Sequence, residues 1–191
     1  MIRIGVLALQ GDFEAHCRAI ESAGAQANEV RRAAELGEAD GLIIPGGEST
    51  TMLKLIDIEG LWEPLRRFGA SRPIFGTCAG AILLAREVTG PNQPSLALMD
   101  ISVERNAYGR QVHSRVATVA SEFGPLEAVF IRAPVIRRAG PGVKVLARYG
   151  EDPVLVEEGK HLAATFHPEL SRNGAVHEFF LNLVRKCAGG H

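Results

Sequence analysis

Three short apolar runs, each followed by a helical pattern, place the strongest restriction on how this chain can fold. They occupy residues 2–9, 41–45 and 73–76, and the last two end in glycine-rich turns. An apolar run of this length is typical of a strand that is buried on both faces. Strands that alternate with helices predict a parallel sheet with helices on both of its faces. The first half of the chain therefore predicts a doubly wound α/β fold.

The second half has a different pattern, in which short β-forming segments are separated by turns. They occupy residues 96–103, 116–119, 128–131, 143–148, 154–157 and 161–166. Such segments predict antiparallel strands. The chain shows no linker and no internal repeat. We therefore expect a single domain over residues 1–191, built on a mostly parallel, doubly wound sheet with antiparallel additions in the C-terminal half.

Polar residues are expected to cap three of the helices. Asp12 is predicted to cap the first helix, and Ser49 or Thr50 the helix that follows the second apolar run. Asn173 is predicted to cap a final helix whose apolar residues recur at intervals of three and four. Cys187 falls on the apolar stripe of that helix, so we expect it in the core.

Positive and negative charges nearly cancel in this chain, which bears on its partners. There are 21 Lys and Arg against 22 Asp and Glu, a balance that favours neither nucleic acid nor a membrane surface as a partner. No apolar run reaches the ~18 residues that a membrane span requires. The three cysteines form no CxxC pair, which favours a reducing, cytoplasmic location. The histidines lack the spacing of metal ligands, so neither a metal nor a cofactor is expected.

Residues 76–80, Gly-Thr-Cys-Ala-Gly, follow the third apolar run and have the pattern of a nucleophile elbow. Small residues two positions before and after the nucleophile let a strand turn sharply into a helix. The helix N-terminus favours a thiolate at Cys78, and the N–H of Ala79 would point toward an oxyanion that forms on a substrate. The alternative is a cysteine that is simply buried in a tight turn.

A base for this cysteine is expected in the segment His167-Pro168-Glu169, which ends the last apolar run. Residues i and i+2 of an extended chain project to the same side, so Glu169 can orient the imidazole of His167. The C-terminal ends of parallel strands meet at one edge of a doubly wound sheet, which would bring the segment to Cys78. Taken alone, the segment fits a strand end followed by a turn better than a catalytic pair, and the elbow at Cys78 is what favours catalysis.

A second glycine-rich turn, residues 45–51 (Pro-Gly-Gly-Glu-Ser-Thr-Thr), leads from a strand into a helix. The free N–H groups of such a turn can hold a phosphate or a developing oxyanion. The chain has neither a P-loop motif nor the dinucleotide-binding glycine motif, so the phosphate interpretation lacks its usual support. With a cysteine elbow on a neighbouring strand, an oxyanion hole is the favoured interpretation.

The elbow, the glycine turn and the late His-Pro-Glu segment together resemble the triad class of glutamine amidotransferases. Three further segments resemble, within that class, the glutaminase subunits of pyridoxal 5'-phosphate synthase. They are residues 9–12 (Leu-Gln-Gly-Asp), residues 105–111 (Arg-Asn-Ala-Tyr-Gly-Arg-Gln) and residues 130–134 (Phe-Ile-Arg-Ala-Pro). The resemblance covers nearly the whole chain and implies the flavodoxin-like fold of class I glutamine amidotransferases.

The resemblance implies a glutaminase with a triad of Cys78, His167 and Glu169. Cys78 would attack the side-chain amide of L-glutamine to form a thioester, His167 would pass a proton to the leaving ammonia, and Glu169 would hold the imidazole. The N–H groups of Gly47 and Ala79 would form the oxyanion hole. Six positions are implied to contact glutamine: Gly46, Gly47, Glu48, Arg105, Ile131 and Arg132.

A partner is also implied, because free ammonia at neutral pH is mostly unreactive ammonium. In the family, the partner is the synthase subunit of a hetero-oligomeric complex, which receives the ammonia through a protected channel and builds pyridoxal 5'-phosphate. Glutaminase activity is expected to be low until that subunit docks. The family resemblance implies that this coupling acts through the turn at Gly46 and Gly47, with the loop of Gln10 near the interface.

Two other functions stay open from the sequence. The chain could be the glutaminase subunit of a different amidotransferase, of the histidine or anthranilate pathway, and only the motifs at residues 105–111 and 130–134 argue against that. It could also be a catalytically silent subunit that regulates a partner. An intact set of Cys78, His167 and Glu169 argues against a silent subunit.

Overall fold

The computed structural model describes residues 1–107 and 114–189. Its first half alternates strands with helices, as the sequence predicts. The elements are β1 (Arg3–Leu7), α1 (Phe13–Ser22), β2 (Gln26–Val30), β3 (Gly41–Ile44), α2 (Ser49–Ile58), α3 (Trp62–Ser71), β4 (Ile74–Thr77) and α4 (Ala79–Leu84). A short 3-10 helix, Ala33–Glu38, connects β2 to β3.

The second half is rich in strands and ends in one long helix. The elements are β5 (Ala85–Thr89), β6 (Met99–Glu104), β7 (Arg115–Ser121), β8 (Gly124–Phe130), β9 (Val135–Ala139), β10 (Lys144–Tyr149), β11 (Asp152–Glu158), β12 (His161–Ala164) and α5 (Ala175–Ala188). A 3-10 turn, Pro168–Leu170, follows β12.

A sheet of nine strands, in the order β2-β1-β3-β4-β12-β11-β10-β7-β8, organises the described chain. The pairs from β2 through β12 are parallel, and those from β12 through β8 are antiparallel. This arrangement confirms the predicted fold class. The last strand of the chain, β12, pairs with β4 near the middle of the sheet, so two segments far apart in sequence end side by side.

The sheet separates two apolar cores because successive residues of a strand point to opposite faces. In β3, Leu42 and Ile44 pack on the side of α2 and α3, whereas Ile43 packs on the side of α1 and α5. All four residues of β3 are buried, which explains why its sequence is continuously apolar. None of the described helices has the length and the apolar run that crossing a bilayer requires.

Two strands escaped the sequence analysis, and both belong to a second, small sheet. Its order is β5-β6-β9, in which β5 and β6 are parallel and β6 and β9 are antiparallel. The sequences of β5 and β9, Ala-Arg-Glu-Val-Thr and Val-Ile-Arg-Arg-Ala, carry two charged residues each. Their few apolar residues do not form a periodic pattern that would predict a strand, so only the pairing with β6 defines them.

The structure confirms one predicted helix cap and corrects two. Asp12 caps α1, since its carboxylate accepts a hydrogen bond from the N–H of Ala15. The cap of α2 is Glu48, whose carboxylate accepts from two backbone N–H groups of the first turn, and not Ser49 or Thr50. For α5, the side chain of Asn173 accepts from the N–H of Ala175, but the cap position is Gly174.

The prediction that Cys187 lies in the core is wrong. Its side chain is exposed, and the last buried residue of α5 is Val184. Arg185 and Lys186 stand between the two in the final turn of the helix. The apolar stripe therefore ends one turn before the helix does.

Candidate active site

Cys78 lies at the junction between β4 and α4, in a backbone conformation that few side chains adopt. Its φ is 50° and its ψ is −106°, which places a residue with a Cβ in a strained region. The N–H of Cys78 donates to the carbonyl of Ala164 over 2.8 Å, and this bond anchors the junction to β12. The strand-turn-helix geometry is that of a nucleophile elbow.

The glycines on either side of Cys78 are required by close backbone contacts. A Cβ on Gly76 would overlap the carbonyl of Gly80, and a Cβ on Gly80 would overlap the carbonyl of Ile44 in β3. Helix α4 can therefore start immediately after β4 and pack against β3 only because both positions lack a side chain. The same packing sets where the sulfur of Cys78 stands.

His167 and Glu169 follow β12, which is the parallel neighbour of β4. Nδ1 of His167 lies 2.7 Å from Oε1 of Glu169. An ionised carboxylate can only accept, so Nδ1 donates and Nε2 remains for the sulfur. The imidazole and Cys78 both flank Gly46, where an added Cβ would lie 2.6 Å from Cε1 of His167 and 3.0 Å from Cβ of Cys78. The thiol itself donates to the carbonyl of Ile131, over 3.9 Å. The structure thus brings a thiol, an imidazole and a carboxylate close together at the edge of the sheet.

The environment of His167 favours its charged form. Burial alone would lower the pKa of His167, but the neighbouring side chain of Cys78 and the hydrogen-bonded carboxylate of Glu169 raise that pKa to about 10. The imidazole is therefore held between two groups that stabilise a positive charge. Such a base can take a proton from a thiol and keep it until a leaving group needs it.

A cavity of about 230 Å³ opens in front of Cys78 and His167. Five of the six positions that the sequence implies for glutamine contact line it: Gly47, Glu48, Arg105, Ile131 and Arg132. The sixth, Gly46, packs behind the pair, where a Cβ would come within 2.6 Å of the His167 ring. Three other residues line the cavity that were not among the implied glutamine contacts: Ser49, Ile82 and Asn106.

The polar side chains around this cavity are held by the α2 N-terminus. Burial would raise the pKa of Glu48, but hydrogen bonds from Thr50 and Thr51 lower it to about 2. Nη2 of Arg105 donates to the hydroxyl of Thr50 over 3.1 Å, while its buried Nε has no hydrogen-bond partner within the described residues. A carboxylate and a guanidinium therefore line the same cavity, as an amino acid with both charges would require.

The glycine turn between β3 and α2 is held by Gln10. Its amide nitrogen donates to the carbonyl of Gly46 over 3.3 Å, and its amide oxygen accepts from the N–H of Glu48 over 3.0 Å. Gly47 has a φ of 142°, and a Cβ there would overlap the Gln10 side chain. The orientation of the peptide groups in the turn is therefore coupled to the loop that carries Gln10.

Part of one predicted motif cannot be placed. Within residues 105–111, the residues Tyr108, Gly109, Arg110 and Gln111 lie outside the described residues.

In the described parts of the chain, no group of three or more His, Cys, Asp or Glu side chains is arranged to hold a metal ion.

Two histidines beside the triad were missed by the sequence analysis. His16 is fully buried and lies against Glu169, with Nε2 3.3 Å from Oε2. His177 is also buried, and its Nε2 lies 3.0 Å from Nδ1 of His16. Both project from the buried sides of helices, α1 and α5. A histidine on an apolar helix face needs a buried partner, but the partner itself cannot be read from the sequence.

Comparison with known proteins identifies the family. The model of the SNO glutamine amidotransferase family matches residues 6–186 of the chain. The chain belongs to this family. Among the relatives of this SNO family chain, the pyridoxal 5'-phosphate synthase subunit PdxT of Solibacter usitatus is 56% identical over 95% of the chain and 99% of that protein. The subunit of the same name from Koribacter versatilis is 52% identical over 99% of each.

A solved structure supports the same conclusion for the fold. A crystal structure described as a glutamine amidotransferase is 49% identical to this SNO family chain. It superposes with a TM-score of 0.89 over 95% of the chain and 98% of that structure's chain. The α/β fold with a large mixed sheet is therefore the fold of a glutamine amidotransferase.

Proposed function

We propose that this chain is the glutaminase subunit of a pyridoxal 5'-phosphate synthase. It hydrolyses L-glutamine to L-glutamate and ammonia and delivers the ammonia to a synthase subunit in a hetero-oligomeric complex. The observation that carries the proposal is that Cys78 and His167 line one cavity, with the imidazole of His167 hydrogen-bonded to Glu169. The relatives are named pyridoxal 5'-phosphate synthase subunits, which supports the choice of pathway.

The first chemical step is the attack of Cys78 on the amide carbon of glutamine. His167 accepts the thiol proton and passes it to the departing nitrogen, so that ammonia leaves and a glutamyl thioester remains. Water, deprotonated by the same imidazole, then attacks the thioester and releases glutamate. Glu169 stabilises the imidazolium that forms in each step and keeps Nε2 directed at the sulfur.

The oxyanion of each tetrahedral intermediate needs hydrogen-bond donors. In this proposal they are the N–H groups of Gly47, in the turn that Gln10 holds, and of Ala79, at the start of α4. Loss of one such donor costs about 3 kcal/mol of transition-state stabilisation. The guanidinium of Arg105 and the backbone at Ile131 and Arg132 would hold the amino-acid end of the substrate, with the anchored carboxylate of Glu48 opposite its ammonium group.

The alternatives left open by the sequence are not favoured. The named relatives belong to pyridoxal 5'-phosphate synthase and not to a histidine or anthranilate enzyme. A silent regulatory subunit would have no need of an imidazole that contacts both a thiol and a carboxylate. We also propose a cytoplasmic location, where the thiol of Cys78 would stay reduced, and one domain over residues 1–191, because a single sheet carries both cores.

The test is ammonia release from glutamine, measured for wild type and for Cys78→Ala, each alone and with the synthase subunit. We expect turnover only for wild type, and much faster turnover in the complex. A Cys78→Ala variant that hydrolyses glutamine as wild type does in the complex would exclude the thioester mechanism.

A further inference from the structure

The carboxylate of Glu169 has two oxygens, and the triad uses only one of them. Oε1 accepts from His167, whereas Oε2 points the other way, into the interior, with a side chain that is only 1% exposed. A buried carboxylate oxygen without a donor costs free energy and leaves the group free to rotate. Within the described residues, Oε2 has no hydrogen-bond partner. Nε2 of His16 lies 3.3 Å from it and is hydrogen-bonded to the hydroxyl of Thr77 over the same distance.

We propose that His16 is a positioning residue of the triad: its Nε2–H holds the second oxygen of Glu169, and His177 selects the tautomer of His16 that can do so. The inference deepens the proposed glutaminase function and rests on it. Neither histidine lines the cavity in front of Cys78, so neither is expected to touch glutamine. The effect of His16 on catalysis passes through Glu169.

The hydrogen-bond directions follow from the donor and acceptor rules of a neutral imidazole, which carries one N–H and one bare nitrogen. Because Nε2 of His16 faces a carboxylate, that nitrogen carries the proton, and Nδ1 must accept. Nε2 of His177, 3.0 Å away, is then the donor. The remaining Nδ1 of His177 is bare, and it is the one atom of the dyad without a hydrogen-bond partner within the described residues.

Both histidines are in an environment that keeps them neutral. Burial lowers the pKa of His16 well below its usual value, and the nearby His177 and His167 lower it further. Burial lowers the pKa of His177 to about 4. A neutral donor orients the carboxylate without cancelling its charge, so the full negative charge of Glu169 remains available to His167. A cation at the same place would compete with the imidazolium for that charge.

His16 also contacts the strand that carries the nucleophile. Its Nε2 lies 3.3 Å from the hydroxyl of Thr77, the residue before Cys78, and Thr77 is fully buried. One nitrogen therefore bridges the end of β4 and the carboxylate that follows β12. This contact places His16 where a change in its side chain would alter the relative position of the base and the nucleophile.

The first experiment measures glutamine hydrolysis by the complex with the synthase subunit for His16→Leu and His16→Gln. We expect His16→Leu to lower kcat about 10- to 100-fold, the usual effect of losing a group that orients an active-site ligand, with little change in KM. His16→Gln keeps an N–H donor in the place of Nε2 and should recover most of the activity. Equal loss in both variants would overturn the assignment of Nε2–H as the acting group.

His161→Leu is the matched control. His161 is also a buried histidine whose pKa burial lowers, to about 4, and its Nδ1 accepts one hydrogen bond, from the N–H of Ile74. Its replacement should lower the melting temperature and leave kcat unchanged. If His161→Leu reduced kcat as strongly as His16→Leu, the role of His16 would be structural and the proposal would fail.

The second readout is the pH profile of Cys78 alkylation by a diazo-ketone analogue of glutamine, measured in the same complex. Glu169 is one of the groups that raise the pKa of His167, and a loosened Glu169 stabilises the imidazolium less. In His16→Leu, the alkaline limb of the profile should therefore move to lower pH; His177→Leu should do the same to a smaller extent. The open cavity beside His177 is lined by three charged side chains, Arg18, Arg172 and Glu178. Because salt screens such charges, the profiles should be recorded at two salt concentrations.

A third readout needs no variant and no activity. Nitrogen-15 spectra of the histidine rings in the free wild-type chain at neutral pH should show His16 and His177 as neutral tautomers with the proton on Nε2. A charged His16, or a proton on its Nδ1, would overturn the proposal even if His16→Leu did not fold.

Failure of this inference can be told apart from failure of the proposed function. If wild type in the complex releases no ammonia, the proposed function fails. If wild type is active but His16→Leu has the wild-type kcat and pH profile, only this inference fails.

Discussion

The imidazole of His167 lies between a thiol and a carboxylate, and its protonation follows from these two neighbours. Its pKa of about 10 is above the ordinary histidine value of 6.5 because the hydrogen bonds and charges of Cys78 and Glu169 outweigh burial. We expect an NMR titration of wild type to show this ring charged at pH 8. In Cys78→Ala the pKa should fall, because one of the two partners that raise it is gone. A ring that titrates near 6.5 in wild type would contradict the contact geometry.

Glu48 gives a second prediction at the residue scale, on stability. Its folded-state pKa of about 2 is below the usual 4.5 because Thr50 and Thr51 donate hydrogen bonds to it against the effect of burial. Its contribution to stability is therefore present above pH 4.5 and is lost as the pH falls toward 2. Glu48→Ala should cost about 1 kcal/mol of unfolding free energy near neutral pH, as loss of a helix cap does. Urea unfolding at pH 6 and pH 3 should show the difference shrink at the lower value.

The sequence analysis predicted wrongly, or missed, residues whose role depends on their surroundings. Cys187 has the spacing of a core residue, but the helix continues past the part of α5 that is buried. Serine and threonine at the start of α2 are ordinary caps, yet the glutamate before them reaches two N–H groups at once. His16 has no neighbour in sequence that signals its contact with Glu169. For Cys187 and His16 the surroundings are set by tertiary packing, whereas at α2 the cap depends on which of three neighbouring side chains reaches the free N–H groups.

At the scale of elements, the close packing of α4 on β3 depends on Gly80. A Cβ there would overlap the carbonyl of Ile44, and backbone cannot move aside as a flexible side chain can. Gly80→Ala should therefore lower the melting temperature strongly and abolish glutamine hydrolysis, through displacement of the elbow. Thermal unfolding and ammonia release together test this.

Gly37→Ala is the control for that substitution. Gly37 lies in the 3-10 helix Ala33–Glu38, and a Cβ there would meet no atom within 4 Å. The replacement should leave both the melting temperature and the turnover near their wild-type values. A Gly80→Ala variant as stable as Gly37→Ala would mean that α4 can shift away from β3 at little cost.

The elements that the sequence predicts well are those with a strong internal pattern. Strand β3 is buried on both faces and continuously apolar, and α5 has a clear apolar stripe. Strands β5 and β9 have polar, mixed sequences and exist because β6 lies between them. The predicted triad and oxyanion turn came from glycine positions and strand ends, which are local signals, and the glutamine contacts came from the family resemblance. The contact of His16 with Glu169, in contrast, required the packing of α1.

At the scale of the whole molecule, the proposed function requires that ammonia never mixes with the solvent. The complex can be supplied with glutamine labelled with nitrogen-15 at the amide, in the presence of excess unlabelled ammonium. The pyridoxal 5'-phosphate that it makes should carry the label undiluted. The reason is that a protected path delivers uncharged ammonia, while ammonium in solution cannot enter. Dilution in proportion to the added ammonium would exclude such a path.

The pairing of β4 with β12 has a consequence for control of the enzyme. The register joins Thr77 to Ala164, and the N–H of Cys78 donates to the same Ala164, so backbone hydrogen bonds in the centre of the sheet hold Cys78 beside the strand that leads to His167. The glycine turn, in contrast, is held by one amide side chain from a loop. In the proposed glutaminase, a docking protein that turns one peptide plane of this turn would switch an oxyanion donor on or off while β4 and β12 keep their places.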